Sequence, residues 1–266
     1  MRRFCIVVAA LAAAVVTVTP AAAQQTNAPF EPRVGQSGKD VVWVPTPQAL
    51  VDRMLDMAAV TPKDFLMDLG SGDGITVITA ARRGVKAMGI EYNPDMVELS
   101  RRNAQTAGVG NMATFEKADL FETDLSRATV ITMFLLPSIN IKLRPTLLDL
   151  KPGTRIVSNT FNMEDWAPDR METIENCERW CTALLWYVPA KVEGAWRIGR
   201  DTMTITQRFQ KFSGTVGGQP IIDGSLKSDE IAFQVGTAKY TGRVTGNSMR
   251  GTYTQDGKTV PWTATK

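Results

Sequence analysis

The sequence predicts an α/β fold in which parallel strands are joined by helices, followed by a C-terminal antiparallel β-meander or small barrel. Three observations carry this. Between residues 41 and 190, short apolar runs alternate with amphipathic stretches, the pattern of buried parallel strands linked by helices. A glycine-rich turn, Asp68-Leu69-Gly70-Ser71-Gly72-Asp73-Gly74, joins one such run to a helical stretch. From residue 191 onward helical spacing disappears, and β-prone runs recur between glycine turns, which marks a meander or a closed barrel.

Each element follows from its own pattern. Pro47 opens a helix over 48–59, with Leu50, Val51, Met54, Leu55 and Ala58 at helical spacing. Residues 64–68 form a short buried strand, 75–83 a helix, 86–91 the second strand and 94–107 the next helix. Residues 114–117, 129–134 and 155–159 supply three further strands. A helix over 138–150 precedes the last of these, and Pro152-Gly153 marks its exit. The runs 171–176 and 182–188 fit an antiparallel hairpin at the sheet's end. Beyond them, candidate strands lie at 194–198, 202–210, 211–216, 221–227, 230–235, 239–245, 248–254 and 259–264.

The N-terminus has the composition of a secretory signal over residues 1–23. Arg2 and Arg3 precede an apolar run from Cys5 to Val18, and Ala21-Ala22-Ala23 follows Pro20 as an A-x-A cleavage site. The apolar run is shorter than the roughly 20 residues needed to span a bilayer, so no stable transmembrane span is expected after cleavage. Export to the periplasm is the expected localisation. Residues 24–40, poor in apolar side chains, read as a flexible lead-in. The expected organisation is therefore signal 1–23, lead-in 24–40, α/β domain 41–190 and all-β module 191–266.

Composition excludes several chemistries. Formal net charge is +3, and Arg2 and Arg3 supply two of those charges, so no basic surface for nucleic acid is expected. The chain has no histidine, which removes the commonest general base and the Ser/His triads. Its three cysteines cannot form a zinc site without histidine partners, and no metal is expected.

The glycine turn carries the strongest functional signal. Alternate glycines let the chain turn sharply and approach a ligand closely. A dinucleotide fingerprint would require glycine at position 75, where the chain has Ile75. Asp68 places a carboxylate before the turn, where a cationic ligand gains more than a pyrophosphate would. Glu91 ends the second strand and is positioned to accept from two ribose hydroxyls. After the third strand, Asp119 can accept from an adenine amine while Leu120 packs on its ring. Asp68, Glu91 and Asp119 stand at successive strand ends, the side on which open α/β sheets bind ligands.

These three blocks, with Glu91-Tyr92-Asn93-Pro94 and Ala118-Asp119-Leu120, resemble the first three motifs of class I S-adenosylmethionine (SAM)-dependent methyltransferases. Together with Val44-Pro45-Thr46-Pro47 they narrow the resemblance to the lysine methyltransferases that modify the c-subunit of ATP synthase and their bacterial relatives. The resemblance covers roughly residues 41–169. It implies a Rossmann-like class I methyltransferase sheet and S-adenosyl-L-methionine as cofactor. The implied binding residues are Asp68, Gly70, Ser71, Gly72, Gly74, Glu91, Tyr92, Asp119 and Leu120. It also assigns Trp43, Pro45 and Thr46 to the segment that helps close the pocket.

The acceptor implied is a protein lysine. Alternatives are a methyltransferase acting on a small molecule or lipid, and an exported small-ligand-binding protein that keeps the fold without turnover. The segment Phe134-Leu135-Leu136-Pro137 lies where class I enzymes present residues to the reacting methyl. It lacks the polar Asn-Pro-Pro-Tyr signature of adenine- and glutamine-directed enzymes. The acceptor-channel candidates are thus Trp43, Thr46, Phe134 and Pro137, and no residue can be named as a catalytic base. An attacking amine must be neutral, and a dry apolar channel favours that form.

Cys177 and Cys181 flank Glu178-Arg179-Trp180. In an exported protein they could close as a disulfide across the hairpin turn, or stay as two thiols. The all-β module either docks an acceptor or caps the sheet.

Overall fold

The computed structural model describes residues 30–266, and the expected signal segment 1–23 lies outside them. Residues 31–266 form one compact unit. Its first half follows chain order α1 (Gln48–Met57), β1 (Phe65–Leu69), α2 (Ile75–Arg82), β2 (Lys86–Glu91), α3 (Pro94–Thr106), β3 (Ala113–Lys117), β4 (Val130–Met133), α4 (Pro137–Leu148), β5 (Arg155–Asn159), β6 (Arg170–Thr173) and β7 (Thr182–Tyr187). The strands make one sheet in the order β3-β2-β1-β4-β5-β7-β6. β1 to β5 pair in parallel, and β7 runs antiparallel between β5 and β6.

Alternation along the strands splits the interior into two layers. Leu66, Val130, Val157 and Leu185 face α1, α2 and α3, together with Leu50, Leu55, Val77 and Val97. Met67, Leu69, Ile131, Met133, Ile156, Leu184 and Trp186 face the other way, onto Leu143 and Leu147 of α4 and the buried Trp166. Such double burial explains why these strands read as nearly continuous apolar runs. Helix starts are locally encoded. Asn93 caps α3 by accepting from the Asp95 amide at 2.9 Å, and Pro94 occupies the first turn.

The second half is an eight-stranded antiparallel barrel, closed by β15 pairing with β8. Its strands are β8 (Gly194–Ile198), β9 (Asp201–Arg208), β10 (Lys211–Val216), β11 (Gln219–Lys227), β12 (Glu230–Val235), β13 (Ala238–Thr245), β14 (Ser248–Gln255) and β15 (Lys258–Thr265). Of the two forms the sequence allows, the chain adopts the closed one, which leaves no unpaired edge. Trp196, Met203, Phe212, Phe233, Met249 and Trp262 fill it. The barrel docks beside α4 and the β5–β6 connection. Phe209 stacks on Trp166 with ring centroids 5.9 Å apart, and Gln210 Nε2 donates to the Ala167 carbonyl at 2.7 Å. Ala190 and Val192 already belong to the barrel's core.

One expectation is corrected. Residues 33–43, part of which the composition marks as a flexible lead-in, form a hydrogen-bonded hairpin. The amide of Gly35 donates to Trp43 O at 2.8 Å, Trp43 N to Gln36 O at 2.9 Å, and Gly38 N to Val41 O at 2.9 Å. These are backbone bonds, so a polar composition does not argue against them.

Candidate functional site

The carboxyl ends of the parallel strands open into a cavity of about 480 Å³, floored by the glycine turn and roofed by the 33–43 hairpin. That size falls within the roughly 300–1,000 Å³ of small-molecule sites. The turn is hooked onto β2, because the amides of Gly70 and Ser71 both donate to the Ile90 carbonyl, at 2.9 and 3.1 Å. Gly72 has φ +55°, and a Cβ there would stand 2.7 Å from the indole Nε1 of Trp43. Only glycine gives both the left-handed backbone and this close approach.

Glu91 locks turn and strand together. Its Oε2 accepts from Gly72 N at 3.0 Å and its Oε1 from Asn93 N at 2.9 Å. Each oxygen keeps a further lone pair for a ligand hydroxyl. Asp119, across the cavity, accepts from the Phe121 amide at 2.9 Å and is ion-paired with Lys39 of the hairpin. The hydrogen bond from Lys39 holds its carboxyl below the usual carboxylate range. Lys39 also lies 4.7 Å from the centre of the Tyr92 ring, and Tyr92 lines the cavity with half its surface exposed. Leu120 completes this end.

Asp68 lies at the cavity's middle, buried at the end of β1. Burial pushes its carboxyl up to about 7. The Thr132 hydroxyl, donating at 2.6 Å, opposes that shift, and the charges of Asp73 and Glu91 add to it. A buried carboxyl beside two other acids is a site prepared for a cation.

Beyond β1 the lining becomes aromatic. Phe134, just past the end of β4, stacks on Phe161, with centroids 6.0 Å apart. Trp180 leans against both, at 5.9 and 5.2 Å. Thr46 faces this end and accepts a long hydrogen bond, 3.4 Å, from the buried Asn159 at the tip of β5. Asn140 of α4, fully buried, donates to the carbonyls of Phe161 and Asn162 and so fixes the loop that carries Phe161.

Most of the residues singled out in the sequence therefore meet around one cavity: Asp68, Gly70, Ser71, Gly72, Glu91, Tyr92, Asp119, Leu120, Trp43, Thr46 and Phe134. Two do not line it. Gly74 caps α2 in a left-handed conformation, where a Cβ would strike the Phe115 ring at 2.7 Å, so its role is to seat the helix on β3. Pro137 opens α4 outside the lining. Lys39, Asn159, Phe161 and Trp180 were not legible in the sequence. They reach the site through the hairpin, β5 and the β6–β7 turn, none of which carries a recognisable motif. Cys177 and Cys181 are joined by a disulfide with Cα atoms 5.8 Å apart.

SAM fits these residues. Ser71 contributes a buried hydroxyl with no hydrogen-bond partner among the described residues. Gly72, without a side chain, lets Trp43 of the roof close onto the turn. Glu91, Asp119 and Asp68 line the same cavity with carboxylate acceptors.

Comparison with known proteins agrees with this cofactor. A family profile described as the ANTKMT methyltransferase domain matches residues 68–170, ending before the barrel. A protein-lysine N-methyltransferase of Saccharolobus islandicus (strain REY15A) is 43% identical over 139 residues, covering 51% of this chain and 86% of its own length. A lysine N-methyltransferase of Mus musculus, named for the c-subunit of ATP synthase, is 38% identical over 105 residues. The match takes in 39% of this chain and 42% of that relative, so the chain spans less than half of the mouse protein. A crystal structure described as an RNA methyltransferase of Salinibacter ruber, in complex with S-adenosyl-L-homocysteine, is 49% identical. It has a TM-score of 0.53 and is matched over 56% of this chain and 96% of its own.

Proposed function

We infer a function from the premise that this chain belongs to the family of SAM-dependent methyltransferases that includes the archaeal protein-lysine N-methyltransferase: it methylates the ε-amine of a lysine in a protein. One observation carries the reading. A single cavity runs from the Glu91 and Asp119 carboxylates, past Asp68, to an apolar corner of Phe134, Phe161 and Trp180. The first part suits a nucleoside with a cationic tail. The second suits an alkyl chain ending in an amine.

SAM, when bound, supplies a methyl group already activated by its sulfonium, so the protein's work is alignment and desolvation. Glu91, through Gly72 N, holds the turn that sets the depth of the nucleoside. Asp68 orients the ammonium end. The aromatic corner receives the alkyl-amine end, and the amine attacks in its neutral form. No residue need accept a proton in the transfer itself; the bound ammonium loses its proton to solvent before the methyl is passed.

The comparisons name both protein and RNA acceptors for similar chains. The site's charge favours the amine. Asp40, Asp68, Asp73, Glu91 and Asp119 line the cavity, and its one lysine, Lys39, is paired with Asp119. A polyanion would meet repulsion at that mouth. Methylation of a small-molecule amine is the second reading, and the apolar corner fits it equally. Incubation with methyl-labelled SAM and cell-envelope extract tests the assignment, the expected product being methyl-lysine in protein hydrolysate.

Export is part of the proposal. It rests on the composition of residues 1–23, and the Cys177–Cys181 disulfide supports it, because such bonds persist in oxidising compartments. N-terminal sequencing of the mature protein tests it; an intact Met1 in a cytosolic fraction would overturn it.

A further inference from the structure

The strand order β3-β2-β1-β4-β5-β7-β6 gives the cavity a direction. Glu91 stands on β2 and Asp119 follows β3, so the nucleoside partners lie on one side of β1. Phe134, Phe161 and Trp180 follow β4, follow β5 and precede β7, all on the other side. A ligand spanning the first side and the Asp68 turn presents its reactive end to these three rings.

Trp180 differs from the other two in how it is held. Phe134 and Phe161 follow strands at the centre of the sheet, and Asn140 pins the loop of Phe161. Trp180 projects from the β6–β7 turn with 37% of its surface exposed and a φ of +58°, a left-handed conformation uncommon for a bulky residue. Such a backbone persists where the surroundings fix it. Here the disulfide between Cys177 and Cys181 closes the turn immediately around it, and the two phenylalanine rings receive it 5.9 and 5.2 Å away.

We propose that Phe134, Phe161 and Trp180 form the acceptor-ammonium subsite, and that the Cys177–Cys181 disulfide is the positioning device that puts Trp180 into it, so that acceptor binding requires the oxidised turn. This deepens the lysine-methyltransferase reading and rests on it. Rings arranged around a cavity end attract an alkylammonium through their π faces and its methylene stem through apolar contact. Opening the turn is an exchange with a dithiol. Each cysteine sulfur takes up one electron and one proton, the S–S bond breaks, and the dithiol becomes its cyclic disulfide. The Ile174 amide still donates to the Cys181 carbonyl at 2.9 Å, but the 177–181 loop that carries Trp180 loses its covalent closure.

The test is calorimetric titration of Nα-acetyl-Nε-trimethyl-lysine methylamide into the protein saturated with S-adenosylhomocysteine. The oxidised protein is expected to bind it, and Trp180→Ala to bind it at least about fivefold more weakly, the size of one cation–π contact. Trp180→Phe is expected to recover most of that loss. Cys177→Ser/Cys181→Ser, and the parent protein in dithiothreitol, are expected to resemble Trp180→Ala while binding S-adenosylhomocysteine within twofold of the oxidised parent. Equal titrations for parent and Trp180→Ala would overturn the subsite. Unchanged titrations after reduction would overturn the disulfide's role. If the oxidised parent failed to bind S-adenosylhomocysteine, the methyltransferase reading itself would fall, a result distinct from the other two.

Discussion

The indole nitrogen of Trp43 lies over Gly72, where a Cβ would approach it to 2.7 Å. This contact joins the hairpin roof to the glycine floor and sets the height of the cavity between them. Gly72→Ala adds the missing carbon in a left-handed conformation that costs an L-residue about 1–2 kcal/mol, before any displacement of Trp43. Affinity for S-adenosylhomocysteine is expected to fall at least about tenfold by calorimetry. Trp43→Ala in the same background is expected to recover part of it, because it removes the clash but not the backbone strain.

Glu91 offers a second handle on the same turn. Both of its oxygens accept backbone amides, from Gly72 and Asn93. Glu91→Gln turns one acceptor into a donor facing an N–H. Loss of a charge-assisted hydrogen bond costs about 1.5–3 kcal/mol, so a loss of roughly 10- to 100-fold in S-adenosylhomocysteine affinity is expected. A change within twofold would show that Glu91 neither holds the turn nor meets the ligand.

Asp68 makes binding depend on pH. Burial raises its carboxyl to about 7 in the ligand-free protein, so it is mostly protonated below that pH and charged above it. An ammonium on the ligand prefers the charged form, and affinity therefore rises with pH through about 7. S-adenosylhomocysteine is expected to bind about tenfold more weakly at pH 6 than at pH 8. Asp68→Asn is expected to abolish the dependence. Thr132→Val removes the hydroxyl that opposes the shift and is expected to move the midpoint upward.

The base of the sheet is tied by a different carboxylate. Burial alone would raise the pKa of Asp64. Arg155, the Thr129 hydroxyl at 2.8 Å and the Thr61 amide at 2.8 Å outweigh that and hold its carboxyl below the usual range. Asp64→Ala removes the carboxylate partner of a largely buried Arg155, which keeps only its bonds to the Ala58 and Ala59 carbonyls, at a cost of about 3 kcal/mol. In a chain of this size that lowers the melting temperature by roughly 6–12 °C, which differential scanning calorimetry reads directly. Because the folded carboxyl is the more acidic one, this stabilisation is present near neutrality and is lost as pH falls below the ordinary carboxylate range.

The residues proposed to hold the nucleoside were readable in the sequence because their signals are local. Asp68, the glycines, Glu91 and Asp119 are fixed by strand ends, and their spacing follows from the β–α repeat. The acceptor half was not. Phe161 and Trp180 come from loops without motifs, and only the antiparallel insertion of β7 beside β5 brings Trp180 toward Phe134. Lys39 was hidden for another reason. Composition marks residues 24–40 as a flexible lead-in, whereas the bonds that order the 33–43 hairpin are between backbone groups. Gly74 shows the converse, a motif glycine whose role is to let α2 pack on Phe115.

The central claim is that this cavity passes a methyl group to a lysine amine. The most direct measurement is incubation of the purified protein with methyl-labelled SAM and cell-envelope extract, followed by hydrolysis and mass spectrometry. Label recovered as methyl-lysine from a protein, and absent with Glu91→Ala, is the result predicted here. Label in lipid, RNA or small-molecule fractions instead, or no label from a protein that binds SAM, would contradict it.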